Sequence, residues 1–426
     1  MNKNLALAAL ALVISSSLLA CQRSSPDAAG VGSARAAPAA SPSTSPSATD
    51  APRAAARTDL EQMAQRLVTQ SAAVKEGDVV LVTGRPSDAE LLENIAVQVR
   101  MAGGFPMIEY SSDRLAKRLF FDVPAKYDSQ ADGLLVKLAS VVDVVISLGN
   151  ATSENLFEGA DPQRMAARGK AAEQVGQAFV RNNVRTVEVG NNLYPTAWRA
   201  ERYGMPEAEL ASMFWNGVNL DYSALQTRGD QVKAVLAGGN EVHITNPNGT
   251  DLKLRVQGRP VLVSDGIISA DDLKRGGAAV AVYLPAGEVY TTPVPGSAEG
   301  KVVDTRSFYR GKQVDNLTLS IAGGKITAMT GSGAGFAALK ADYDAVNDPR
   351  KDLFGYIDLG INSNIKLAAT SKVGNWVPAG AITVGTGTNV WAGGDNSVPH
   401  GLTLFLPGST VLLDGKAIVD KGTLKI

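Results

Sequence analysis

Apolar positions along this chain follow two different rhythms. Up to about residue 230, helically spaced apolar residues alternate with short unbroken apolar runs. Leu60 to Val74 has helical spacing, and Gly77-Asp78 then turns into Val79-Val80-Leu81-Val82, closed by Gly84-Arg85-Pro86. Ser87 or Asp88 caps a predicted helix reaching Met101, Gly103-Gly104 stops it, and Phe105 to Tyr110 reads as the next strand. Leu134 to Leu138 and Ala139 to Leu148 repeat the theme, with Val141 to Ile146 as a strand apolar on both faces, as parallel strands are. A helix from about Gln163 to Arg181 leads to a strand at Thr186 to Val189.

Beyond about Gly229 the rhythm changes to short alternating runs punctuated by glycine. Glu241 to Ile244, Leu252 to Val256, Ala279 to Leu284, Leu317 to Ile321, Lys325 to Met329, Ala381 to Val384, Leu402 to Leu406 and Val411 to Leu413 all have strand character. Turns such as Asn248-Gly249 and Asp414-Gly415 separate them, and one helix, roughly Gly335 to Asn347, interrupts them. The expected architecture is an α/β domain over 58–230, an open, mostly parallel sheet with flanking helices. A β-rich α+β domain over 231–426 follows it and carries the candidate site.

The first 57 residues follow neither rhythm. Lys3, the apolar stretch Leu5 to Ile14 and the run Leu18-Leu19-Ala20-Cys21 read as an export signal over 1–21, too short to span a hydrocarbon core of roughly 20 apolar residues. Leu-Leu-Ala-Cys resembles the lipobox of bacterial lipoproteins, which implies lipidation of Cys21 and a membrane anchor. Gln22 is not the aspartate that retains lipoproteins in the inner membrane, so the expected place is the periplasm-facing cell envelope, at the outer membrane. Residues 22–57, rich in Ala, Ser and Pro, read as a disordered tether, because such a composition buries too little apolar surface to offset its ordering entropy.

Composition narrows the chemistry. A formal net charge of -1 offers no basic field, so nucleic acid is excluded as a partner. With only His243 and His400, a histidine-rich metal site is excluded too. His243, between Val242 and Ile244, reads as structural. Gly331-Ser332-Gly333-Ala334-Gly335 lacks the lysine of a phosphate loop and reads as a flexible lead into a helix. No Gly-x-Ser-x-Gly elbow is present.

Two segments carry candidate chemistry. In Gly287-Glu288-Val289-Tyr290-Thr291-Thr292-Pro293 a glutamate sits among residues that prefer extended backbone, which fixes a carboxylate suited to a cation or to general-base work. In Gly393-Gly394-Asp395-Asn396-Ser397-Val398-Pro399-His400 a carboxylate and an imidazole share a glycine-rich loop.

These two segments resemble, in order with Val74 to Leu81, Ala102 to Pro106, Tyr194-Pro195-Thr196 and Gly249 to Leu252, the M29 metallo-aminopeptidases of the aminopeptidase T type. The resemblance covers the chain from Leu60 onward. It implies a homodimer, a peptide substrate with a free amino end, and two divalent ions activating a bridging water. Glu288 matches the family's first glutamate ligand and His400 its last histidine. The second glutamate falls on Tyr356, the first histidine on Thr383, the aspartate after the last histidine on Leu402, and the tyrosine assigned to catalysis near Val390. Three lost ligands remove a two-metal site. Asp358, displaced by about 7 Å along the strand from Tyr356 but on the same face, and Asp395 are the remaining candidates to hold, with Glu288 and His400, one ion at most, of Zn, Co or Mn.

Three functions follow as expectations. One is an exported lipoprotein aminopeptidase with a reduced metal site. The second is a non-catalytic relative that binds peptides or a partner protein. The third is a structural envelope lipoprotein.

Overall fold

The computed structural model describes residues 59–426 apart from 152, 154, 155, 368–370, 372 and 399, so Cys21, the export signal and the tether lie outside the described residues. The chain opens with α1 (Asp59–Arg66), which continues as one wider turn over Leu67–Ser71. Next come β1 (Val79–Gly84), α2 (Ala89–Met101), β2 (Phe105–Tyr110), α3 (Asp113–Phe121), α4 (Gly133–Leu138), β3 (Val144–Leu148), α5 (Pro162–Arg181) and β4 (Arg185–Val189). Three helices follow: α6 (Ala197–Tyr203), α7 (Glu207–Val218) and α8 (Tyr222–Ala237).

The second half holds β5 (Glu241–Asn246), β6 (Thr250–Arg255), β7 (Val261–Ser264), α9 (Ala270–Arg275), β8 (Ala281–Leu284), β9 (Glu288–Thr291), β10 (Glu299–Tyr309), β11 (Lys312–Ala322) and β12 (Lys325–Ser332). Then come α10 (Phe336–Ala345), β13 (Phe354–Gly360), β14 (Ile382–Thr386), β15 (Thr403–Phe405), β16 (Thr410–Leu413), β17 (Lys416–Asp420) and β18 (Thr423–Leu424).

Three sheets result. The parallel sheet runs β2-β1-β3-β4-β8, an eight-stranded sheet runs β12-β11-β10-β6-β5-β16-β17-β18, and a third runs β15-β14-β13-β9-β7. The α/β half and the antiparallel β-rich half are therefore as the two rhythms predict. The segment at Ala281–Leu284 departs from expectation. It pairs parallel with β4 as the fifth strand of the first sheet, although the chain reaches it only after three antiparallel strands. Its alternation is that of any half-buried strand, so pattern alone does not say which sheet recruits it. Helix α8 also runs straight through residue 230 and packs on β7.

Two local differences have physical causes. The first helix ends at Ser71 rather than Val74, because Ala73 is left-handed (φ 47°) and the Arg185 guanidinium takes the carbonyls of Ala72 and Ala73. The strand expected at Val141–Ile146 is shifted to Val144–Leu148. The Asp143 carboxylate accepts from the Val79 N–H (2.8 Å) and fixes the strand's entrance, which leaves Val141 in a turn.

One apolar core spans both halves, from Leu92, Ile95 and Val187 through Phe214 and Val232 to Ile244, Val289, Leu359 and Val384. Full burial of each such side chain stabilises by about 1.5–3 kcal/mol, so the halves are held as one body rather than as beads on a linker. Its effect on the third sheet is decisive for function. Val289, Ile357, Leu359, Ile382 and Val384 take the core face, and strand alternation turns their neighbours to the other side.

Candidate functional site

The face of the third sheet opposite the core carries the polar residues. Register places Tyr290, Asp358, Thr383 and Phe405 in one row across β9, β13, β14 and β15, with Glu288 opposite Gly360 one step along. Tyr356, Gly385 and Thr403 form the next row, and the Tyr356 hydroxyl meets the Thr403 hydroxyl at 2.9 Å. Trp391 stacks its edge on Tyr356 (4.6 Å between centroids) and tilts against Tyr290 (5.1 Å).

Glu288 owes its place to the residue before it. Gly287 has φ 131°, and a Cβ there would come within 2.7 Å of the Asn362 Cβ, so glycine alone lets β9 approach the end of β13 this closely. Asn362 clamps the junction by donating to the Ala286 carbonyl (2.7 Å), while Ile361 N–H donates to that of Gly287 (2.8 Å).

From the parallel sheet, the loop after β4 reaches the same place. Asn191 donates from its backbone N–H to Glu188 (3.0 Å) and from its side chain to Glu288 (3.2 Å) and the Pro285 carbonyl (2.9 Å). Glu188 stands one residue before the end of β4, and burial pushes its carboxyl up to about 7. Burial likewise raises the Glu288 and Asp358 carboxyls above the usual range, and for Asp358 the Glu288 charge adds to it. Asp358 is 2 % exposed, and a backbone hydrogen bond from Leu359 only partly offsets the burial of its carboxylate. The Tyr283 and Tyr290 hydroxyls are held protonated by burial first and then by neighbouring carboxylates.

Of the four residues proposed to share an ion, the structure brings Glu288 and Asp358 together. His400 and Asp395 lie elsewhere. Thr388 N–H donates to the His400 carbonyl, beyond the end of β14, whereas Glu288 faces the far end of β13. At about 3.3 Å per residue, His400 and Glu288 stand on the order of 20 Å apart along the sheet. The His400 ring packs edge-on against Tyr343 (5.4 Å). Burial and then the Lys351 ammonium hold its imidazole below the usual range. Asp395 is exposed in its loop. His243 is paired with Asp251 (2.7 Å) across β5 and β6, in keeping with a structural role.

A pair of dications needs several carboxylates and imidazoles around it. Tyr356 and Thr383, on the site face, offer a hydroxyl each, and among the described residues no group of three or more His, Cys, Asp or Glu is placed to hold a metal ion. The donor set does not fit a two-metal centre. Sequence reasoning missed Glu188, Asn191, Tyr283 and Trp391. A charged residue closing an apolar strand, followed by Gly190-Asn191, was the available signal for the first two, since ligands gather outside the carboxyl ends of parallel strands.

Comparison with known proteins agrees with the fold. The M29 peptidase family model, described as thermophilic metalloprotease (M29), matches residues 56–344. Wild-type AmpT from Thermus thermophilus superposes with a TM-score of 0.67 at 16% identity, over 86% of this chain and 99% of that one. 2,5-Dihydroxypyridine dioxygenase from Pseudomonas putida KT2440 superposes with a TM-score of 0.54, also at 16% identity, over 87% of this chain and 98% of that one. No curated protein matches the chain. By their names, a dioxygenase and AmpT share this architecture, so function here must be argued from the site.

Proposed function

Since the chain belongs to the M29 family of thermophilic metalloproteases, we propose that it is a non-hydrolytic member that binds peptides by way of the third sheet. The single observation carrying this reading is the row Tyr290, Asp358, Thr383, Phe405 beside Tyr356. Aromatic rings, hydroxyls and the Asp358 carboxylate share this sheet face, where a hydrolase of this family needs metal ligands. A second reading, hydrolysis with one ion of zinc, cobalt or manganese, is favoured by the retention of Glu288 next to buried Asp358.

One set of measurements decides between them. Purified protein should retain no stoichiometric divalent metal, should release no amino-terminal residue from peptides in added cobalt, zinc or manganese, and should bind peptides by calorimetry in the presence of chelator. Turnover that disappears in Glu288→Ala would establish the hydrolytic reading instead.

The envelope location is part of the proposal and rests on the sequence before residue 58. Lipid on Cys21 anchors the protein to the outer membrane, with the tether holding the folded part clear of the headgroups and the family resemblance supplying a homodimer. In cells given radiolabelled palmitate the protein should carry label and sediment with the outer membrane, while Cys21→Ser should carry none and appear in the soluble fraction. Label persisting in that variant would rule the anchor out.

A further inference from the structure

Large apolar side chains left open to solvent are concentrated in one part of the fold. Among the described residues all of them but Val235 and Leu273 fall between Val97 and Val141, the stretch that runs through the end of α2, β2, α3 and α4. Strand β2 is the edge of the parallel sheet. Beside it on β1, Leu81 is 3 % exposed under α4 and α5, whereas its register partner Met107 is 41 % exposed, so the helix layer on that side stops short of the edge. Alternation puts Phe105 with Met107 on this open face. From the carboxyl end of β2 the chain passes into α3, which buries only Phe120 and leaves Leu115 and Leu119, one turn apart, in solvent. Exposed apolar residues gathered in this way mark an interaction surface, whereas single ones scattered over a protein do not.

Charge identifies the partner. Arg114, Lys117, Arg118 and Lys126 are exposed on and just after α3. The acids of the same stretch are mostly engaged: Asp113 with Arg85, Asp122 with Arg118, and Asp128 with Arg164 and Arg168, while Asp132 caps α4, which leaves Glu109. Leucines interleaved with arginine and lysine on a peripheral helix suit a lipid headgroup layer, the apolar side chains entering the acyl boundary and the cations staying among the phosphates. The exposed Tyr110 and Tyr127 rings suit the same depth.

We infer that the β2 edge and α3 form a docking face for a bilayer surface that carries anionic lipid. The choice of a bilayer rests on the anchored reading above and goes beyond it by naming the face that meets the membrane. Residues 22–57 join the fold at α1, which packs against α2 next to β2, and a chain of that length spans roughly 30–40 Å, so the anchored protein can lay this face down.

The test uses the chain from Gln22 on, made without lipid, so that the anchor cannot contribute. It should co-sediment with vesicles of phosphatidylethanolamine and phosphatidylglycerol, poorly with phosphatidylcholine alone, and less as salt rises to about 0.5 M. Arg114→Glu/Lys117→Glu should weaken binding on the order of tenfold or more, through lost attraction to the anionic surface. Leu115→Ser/Leu119→Ser and Phe105→Ser/Met107→Ser should weaken it as well, and each variant should melt like the parent because the side chains are exposed. Leu273→Ser, at an exposed leucine outside the face, should leave binding unchanged. Absence of binding to either kind of vesicle overturns the inference and leaves the Cys21 anchor standing, since palmitate labelling reads that separately. Binding that survives all these substitutions overturns it too. A dimer in free solution that Phe105→Ser/Met107→Ser splits, without vesicle binding, assigns the face to a second copy of the chain instead.

Discussion

Asp78→Ala should lower the free energy of unfolding by about 3–5 kcal/mol, the cost of leaving a buried charge without its counterion. Arg185 is 5 % exposed, at the start of β4, and its guanidinium meets the Asp78 carboxylate at 2.5 Å while also holding the carbonyls of Ala72 and Ala73. The same Asp78 oxygen accepts from the Lys75 N–H (2.8 Å), so one carboxylate closes the turn before β1 and neutralises the arginine. With alanine there, Arg185 stays buried with only neutral carbonyls, because its three attachment points lie in a turn that packs under the sheet. Removing both charges should hurt less. In Asp78→Ala/Arg185→Met no uncompensated ion remains, so the double variant should recover part of the loss. Chemical denaturation followed by circular dichroism measures both, and a loss below about 1 kcal/mol in the single variant, the range of an exposed ion pair, would show the clasp to be solvated.

That clasp illustrates how far the sequence is legible. The parallel half follows from short apolar runs alternating with helically spaced segments, and β2 and α5 fall within a residue of where the pattern puts them. What pattern does not supply is register. Val141 to Leu148 is apolar but for Asp143 and Ser147, and pattern does not say where in it the strand begins until Asp143 is pinned to Val79. The same gap decided the site. Glu288 and Asp358 are readable as candidates because each is a charge in an apolar strand, and pairing brings them together. His400 matches the family motif by spacing, yet it lies beyond the end of β14, away from the end of β13 where Glu288 stands. Glu188 was overlooked because its neighbour in space, Glu288, is remote in sequence, and only the Asn191 bridge reveals the connection.

Gly385→Ala should destabilise the protein by about 3 kcal/mol, at the upper end of overpacking costs, and the reason bears on the position of Tyr356. A methyl group on Gly385 would fall within the ring of Tyr356, directly across from it on β13. The ring has nowhere to go. Trp391 stands edge-on at 4.6 Å, and the hydroxyl is tied to Thr403 at 2.9 Å. Tyr356 is thus packed on this sheet face over a glycine that makes room for it, at the position where the family resemblance places a glutamate ligand. If the clash is the cause, Tyr356→Ala should cost about 3 kcal/mol alone through the cavity it leaves, and Gly385→Ala/Tyr356→Ala should cost less than the sum by 1 kcal/mol or more, on the order of couplings between touching residues. Strict additivity in that cycle would mean that the tyrosine is free to swing aside and that Gly385 does not set its place.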